Sequence, residues 1–246
     1  MFGRFIEDVN LSGDLPPPDL VICRHTLEHV AEPRKVIDQW FSECDPECIY
    51  VVEIPCFENL AESLRFDAVF HQHFHYYDLC AFKHLIWECG GEYLDHIFNH
   101  QGSCGGALIV KFRRARKTQP KPFLDLDARI IMLEKRISHY KNQMAIMGEL
   151  LDGLPKPVYG YGASLMLATL GYHLGTDFSK IECILDDDLQ KDGKTYENVP
   201  VVVKHPTNVA PPPNSSFVIT SLESVRPIYR RILELSPRRI LTPLVT

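Results

Sequence analysis

The sequence of 246 residues predicts an α/β fold in two units joined by a long helix. Three observations carry this expectation. Short apolar runs alternate with segments of helical spacing, the order that builds a sheet covered by helices. After Pro120 and Pro122 the helical spacing continues for about eight turns. Beyond Pro155 the alternation of strand and helix begins again.

Taken in order, Asp19 to Cys23 is an apolar run between Pro16-Pro17-Pro18 and the polar Arg24-His25, and reads as a strand buried on both faces. Glu32 to Phe41 has helical spacing, with Pro33 acceptable in a first turn. Ile49 to Ile54 is a second buried strand closed by Pro55, and residues 79 to 89 read as a helix ending at Gly90-Gly91. Tyr93 to Phe98 and Ala107 to Phe112 are two further strands, joined by a glycine-bearing turn from Gln101 to Gly106. In the long helix, Phe123, Leu126, Ile130, Leu133, Ile137, Tyr140, Met144, Met147 and Leu151 form one apolar stripe. That stripe is expected to dock on the flanking domains; pairing two chains as a homodimer is the alternative. Val158 to Ser164 leaves a strand and enters a helix from Leu165 to Leu174, and Ile181 to Leu185 is a strand ending on Asp186-Asp187-Asp188. Val199 to Val203, Ser216 to Thr220, a helix near Val225 to Leu235, and Ile240-Leu241 complete a compact βαβ unit. The expected domains are residues 1–115, a linker at 116–154, and residues 155–246.

Composition narrows the classes of function. A hydrophobic share of 45% and a charged share of 24% are ordinary for a soluble globular chain. The formal charge of -6 and the short, isolated basic runs at residues 113–117 and 238–239 give no footprint for nucleic acid. No apolar run reaches the eighteen or so residues of a membrane span. The eight cysteines lack paired C-x-x-C spacing and read as reduced thiols of a cytoplasmic protein.

Two segments carry the chemistry. His71-Gln72-His73-Phe74-His75-Tyr76-Tyr77 places three of the eleven histidines within five positions. On an extended strand all three imidazoles would share one face and one ligand. At the end of the first strand, the polar Arg24, His25, Glu28 and His29 cluster where open α/β sheets bind ligands. In the second unit, Gly160-x-Gly162 after a strand can aim backbone N–H groups at an anion, although the third glycine of a dinucleotide fingerprint is Leu165 here. Asp186 stands where a carboxylate often binds a ribose.

Asp19 to Pro33 resembles the segment after the fourth strand of class I S-adenosylmethionine-dependent methyltransferases. Phe66 to Tyr77 resembles the Tyr-His-Glu-His-x-Ser-Tyr-Phe signature of sugar C-methyltransferases, and Val158 to Pro206 resembles that family's C-terminal domain. The resemblance implies a partial Rossmann-like methyltransferase sheet and a second, smaller Rossmann-like α/β domain. It further implies S-adenosylmethionine as cofactor and a nucleotide-linked ketosugar as substrate. In the family's chemistry a base removes the proton beside the carbonyl, and the enolate attacks the cofactor's methyl group. The base falls on His73, with His71 supporting it and Gln72 standing where the family has Glu; Phe70 replaces the signature Tyr and His75 replaces Ser. Arg24, His25 and Glu28 are expected near the cofactor, and Tyr77, Tyr161, Gly162, Ala163, Ser164 and Asp186 near the sugar nucleotide. No metal ligands are assigned. The family's zinc module and glycine-rich cofactor turn precede the fourth strand, whereas eighteen residues precede Asp19; the chain is therefore expected to be a segment of a longer protein, since an open sheet without its central strands exposes an apolar edge prone to association, the alternative being a truncated, inactive relative that binds no cofactor. Two other readings stand beside this one: a metal-dependent hydrolase using His71, His73 and His75, and a non-catalytic nucleotide-sugar binding or interaction protein.

Overall fold

The computed structural model describes residue 6, residues 16–100 and residues 105–244. The chain divides into two compact units, one of residues 1–65 and 69–133, the other of residues 66–68 and 134–246. Most of the expected turn at residues 101–106 lies outside the described residues.

The first unit holds β1 (Leu20–Arg24), α1 (Pro33–Glu43), β2 (Ile49–Pro55), α2 (Phe57–Glu62), α3 (Leu79–Glu88), β3 (Gly91–Asn99) and β4 (Ala107–Arg114). Its sheet runs β1-β2-β4-β3, with β1 and β2 parallel and β4 antiparallel to both neighbours. Pro33 opens α1, where its missing N–H costs no helical bond. Asp78 caps α3 by accepting from the Ala81 N–H at 2.8 Å and pairs with Arg129. The core joins Cys23 on β1, Tyr50, Val52 and Ile54 on β2, and Leu108, Val110 and Phe112 on β4 to Ile37, Trp40 and Phe41 of α1 and Phe82 and Ile86 of α3. This clothes one face of the sheet.

The other face departs from the expectation that β1 is buried on both sides. Leu20 and Ile22 are 51% and 61% exposed, and Ile97 on β3 is 62% exposed. The cross-strand rows there are mixed, Ile22-Val51-Lys111-Asp95 and Arg24-Glu53-Ile109-Ile97. Among the described residues α1 and α3 pack on the core face, and the alternate apolar side chains stay in solvent.

The long helix is α4 (Leu126–Asp152). Tyr140, Met144 and Leu151 are buried, whereas Phe123, Leu126 and Ile130 are exposed, so the stripe is covered only in its C-terminal part. That part packs in the second unit: Tyr140 lies 5.6 Å from the ring of Phe66 and 5.0 Å from that of His173. At Gly148 a Cβ would stand 2.2 Å from the carbonyl oxygen of Leu174, so a hydrogen is required there for the helices to approach.

The second unit contains β5 (Val158–Tyr161), α5 (Leu167–Leu174), β6 (Ile184–Leu185), β7 (Thr195–Tyr196), β8 (Val199–Lys204), β9 (Ser216–Ile219), α6 (Val225–Glu234) and β10 (Arg239–Leu241). The order β10-β9-β5-β6-β8-β7 is parallel except for the short β7. Successive strands step outward from β5 on one side and then from β9 on the other, the doubly wound arrangement. The expectation of an α/β fold with two sheets is met. Among the described residues no helix is long and apolar enough to cross a membrane.

Candidate active site

The histidine heptad is not a strand. Residues 71–72 form a turn, and only Tyr77 makes an isolated bridge, to Cys56. The backbone N–H groups of Phe74 and His75 both donate to the Glu28 carbonyl, at 2.8 and 3.2 Å, so this segment folds onto the turn after β1 and lacks a ladder partner. Without a ladder the side chains do not alternate. His71 and Gln72 are exposed. His75 Nε2 lies 3.2 Å from the Ala31 carbonyl and its ring stacks on Tyr77. The three imidazoles therefore do not converge on one ligand.

His73 converges with the other polar segment instead. Residues Leu27–His29 make one turn of 3-10 helix; Leu27 enters the core and draws Glu28 in beside it, leaving Glu28 only 2% exposed. His25, in the left-handed region at φ 46°, turns its ring between two carboxylates. Its Nδ1 is 3.5 Å from Glu28 Oε1 and its Nε2 is 3.3 Å from Glu53 Oε1. Glu53 sits opposite Arg24 in the parallel register and takes its guanidinium at 2.5 and 3.1 Å. His29 Nδ1 is 2.8 Å from the Gln72 carbonyl, and the His29 and His73 rings meet edge-on at 4.7 Å. Arg24, His25, Glu28 and His73 are thus brought together, with His29 and Glu53 added. Glu53 escaped the sequence reading because a lone carboxylate at a strand end carries no signal until the register sets it against Arg24.

The electrostatics differ from those of a free histidine. Burial, with His29 and His25 nearby, pushes the His73 imidazole down to about 4. At pH 7 the ring is therefore neutral. Glu28 moves the opposite way, raised chiefly by burial. Neither of its oxygens has a well-aligned hydrogen-bond donor, and His73 Nδ1 is likewise buried without a partner. The Arg24 hydrogen bond holds Glu53 below the usual carboxylate range. A carboxylic acid pushed up beside an imidazole pushed down is an arrangement suited to holding and moving a proton. Tyr77 packs its ring on Phe82, and burial, with Glu28 and Cys89 nearby, raises the pKa of its hydroxyl.

In the second unit the expected anion turn is occupied from within. α5 begins at Leu167, two residues later than predicted, because Gly162 to Ser164 run on as irregular chain. Gly162, at φ 101°, donates to the Leu185 carbonyl at 2.7 Å, and the Ala163 N–H donates to Asp186 Oδ2 at 2.7 Å. Asp186 also accepts from Lys191 Nζ at 3.1 Å and from the Asp188 N–H at 2.9 Å. The Tyr161 hydroxyl donates to Asp187 at 2.8 Å, and the Ser164 carbonyl accepts from Tyr196 at 2.8 Å. The turn still lies at the carboxyl ends of β5 and β9, where the strand order reverses.

Residues 5–96, the stretch that carries β1, β2 and both polar segments, match the family described as a methyltransferase domain. This bears out the resemblance to methyltransferases. Among characterised proteins, the C-methyltransferase NovU of Streptomyces niveus is 28% identical over 93 residues, covering 38% of this chain and 21% of NovU. The chain thus spans about a fifth of the length of that relative. Two solved structures, LepI in complex with SAM and the small RNA methyltransferase HEN1, are distantly similar at a TM-score of 0.34 each. Their identities are 7% and 17%; the likeness covers 46% and 47% of this chain, and 29% and 16% of theirs.

Proposed function

We propose that this chain is part of an S-adenosylmethionine-dependent C-methyltransferase acting on a nucleotide-linked ketosugar in the cytoplasm. The observation that carries the reading is that buried Glu28, just past the carboxyl end of β1, lies beside half-buried His73, both inside the stretch that matches the methyltransferase domain. The similarity to a C-methyltransferase supports carbon as the accepting atom.

The cofactor is a sulfonium cation that also bears a carboxylate, and the residues fit those two ends. The orphaned Glu28 carboxylate suits a cation, and Arg24, exposed beyond the two N–H groups that Glu53 takes, suits a carboxylate. When bound, the cofactor supplies an electrophilic methyl group. His73, neutral at pH 7, accepts the proton from the carbon beside the sugar's carbonyl, and the C–H electron pair passes into the enolate. His29 and the raised Glu28 hold the ring's surroundings, and His71, on the exposed turn, has no direct part.

A non-catalytic nucleotide-sugar binding role is the second reading. It is favoured by Gln72 and Phe70, which stand where the resembling signature has ionisable or proton-bearing groups, and by a His73 that holds a proton weakly. Exchange of solvent deuterium beside the carbonyl of a ketosugar nucleotide separates the two. Wild type is expected to exchange and His73→Ala to lose at least about a hundredfold of that rate; equal rates in both would remove the base, and exchange in neither would leave the binding role.

A further inference from the structure

We propose that Glu28, His29 and His73 form a binding site for one divalent transition-metal cation of the zinc class. One ligand atom from each lies within 4.8 Å of the other two. These are not the three histidines of the heptad: His75 is engaged by the Ala31 carbonyl and His71 is exposed on a turn.

Three independent features point to a cation. First, a carboxylate at 2% exposure with no aligned donor on either oxygen is a costly group to bury, and a cation removes that cost. Second, His73 Nδ1 is buried with no hydrogen-bond partner. Third, His29 is already oriented as a ligand. Its Nδ1 is 2.8 Å from the Gln72 carbonyl, which fixes the proton there and leaves the Nε2 lone pair 3.9 Å from Glu28 Oε1. Metal-bound histidines characteristically donate their second nitrogen to a carbonyl or carboxylate in this way. His25, which reaches Glu28 at 3.5 Å and Glu53 at 3.3 Å, steadies the carboxylate from outside the trio.

The donor set selects the metal. Two imidazoles and one carboxylate suit zinc or cobalt, whereas magnesium and calcium take all-oxygen shells. Tetrahedral ligands at about 2.0–2.1 Å from zinc stand about 3.3 Å apart, so the 3.9 Å between His29 and Glu28 has to close by about 0.6 Å. Three protein ligands leave one position open for water or an anionic oxygen. The site does not depend on the methyl-transfer reading. A metal on His73 occupies the lone pair that a base uses, so the two uses exclude each other at any one moment.

The test is calorimetric titration of the metal-free protein with Zn²⁺ alone, with Co²⁺ absorption as a second readout and Mg²⁺ as a control. One Zn²⁺ per chain is expected, with no binding of Mg²⁺. Affinity is expected to fall at least about tenfold in each of His29→Ala, His73→Ala and Glu28→Gln, and to stay unchanged in His71→Ala and His75→Ala. Circular dichroism checks each variant's fold. Should Glu28→Gln fail to fold, His29→Ala carries the test, because that ring is 40% exposed and its loss leaves the core intact. Absence of stoichiometric Zn²⁺, binding that survives the substitutions in this trio, or loss in His71→Ala would overturn the proposal. Binding of S-adenosylmethionine without any binding of Zn²⁺ would assign the orphaned carboxylate to the sulfonium instead.

Discussion

At the scale of the residue, the fold changes the acid–base chemistry of His73. An imidazole ordinarily titrates near 6.5, and this one is pushed down to about 4 by burial beside His29 and His25. Between those values the native state binds fewer protons than the unfolded chain. The stability it contributes is therefore complete above about 6.5 and lost as the pH falls towards 4. Glu28 has the opposite sign: its raised pKa favours the native state below the ordinary carboxylate range, and that contribution is lost as the pH rises through the raised value. The stability difference between wild type and His73→Asn, read from urea unfolding, is accordingly expected to shrink as the pH is lowered from 6.5 to 4. Parallel curves across that window would show that the ring is not held neutral. Gln72 illustrates a different point, since what the structure uses there is the backbone carbonyl that orients His29 and not the exposed amide.

At the scale of elements, apolar spacing placed β1, α1, β2, α3, β4 and α4 close to their observed limits, because local periodicity follows from which face each segment buries. The heptad was misread for a reason of the same kind. Alternation of side chains needs a ladder, and residues 71–77 bond back to Glu28 instead. The turn after β5 shows how a glycine motif can serve packing. At Gly162 a Cβ would meet Ser221 Cβ at 2.5 Å and Ile228 Cδ1 at 2.8 Å, and the backbone sits at φ 101°. Gly162→Ala is expected to destabilise the protein by at least about 2 kcal/mol, from the positive φ and the overpacking together. Thermal unfolding measures this; an unchanged midpoint would mean that the β5 turn relaxes freely around a side chain.

At the scale of the molecule, the first unit's sheet leaves Leu20, Ile22 and Ile97 exposed, and among the described residues β1 ends its strand order. Exposed apolar side chains beside an unpaired strand edge favour association. Concentration-dependent self-association in sedimentation velocity is expected for the wild type and is expected to weaken in Ile22→Glu. A single monomer boundary for the wild type at every concentration would show that this face is tolerated in water. The amino-acid sequence alone determined the α/β class, the order of elements and the two polar segments, because these depend on short-range periodicity and on residue type. Only the tertiary structure decided that Glu28, His29 and His73 meet, that Glu53 secures Arg24, and that Asp186 fills the turn expected to hold an anion. Those outcomes follow from strand register and from backbone hydrogen bonds between segments far apart in the chain, and burial there raises Glu28 and lowers His73.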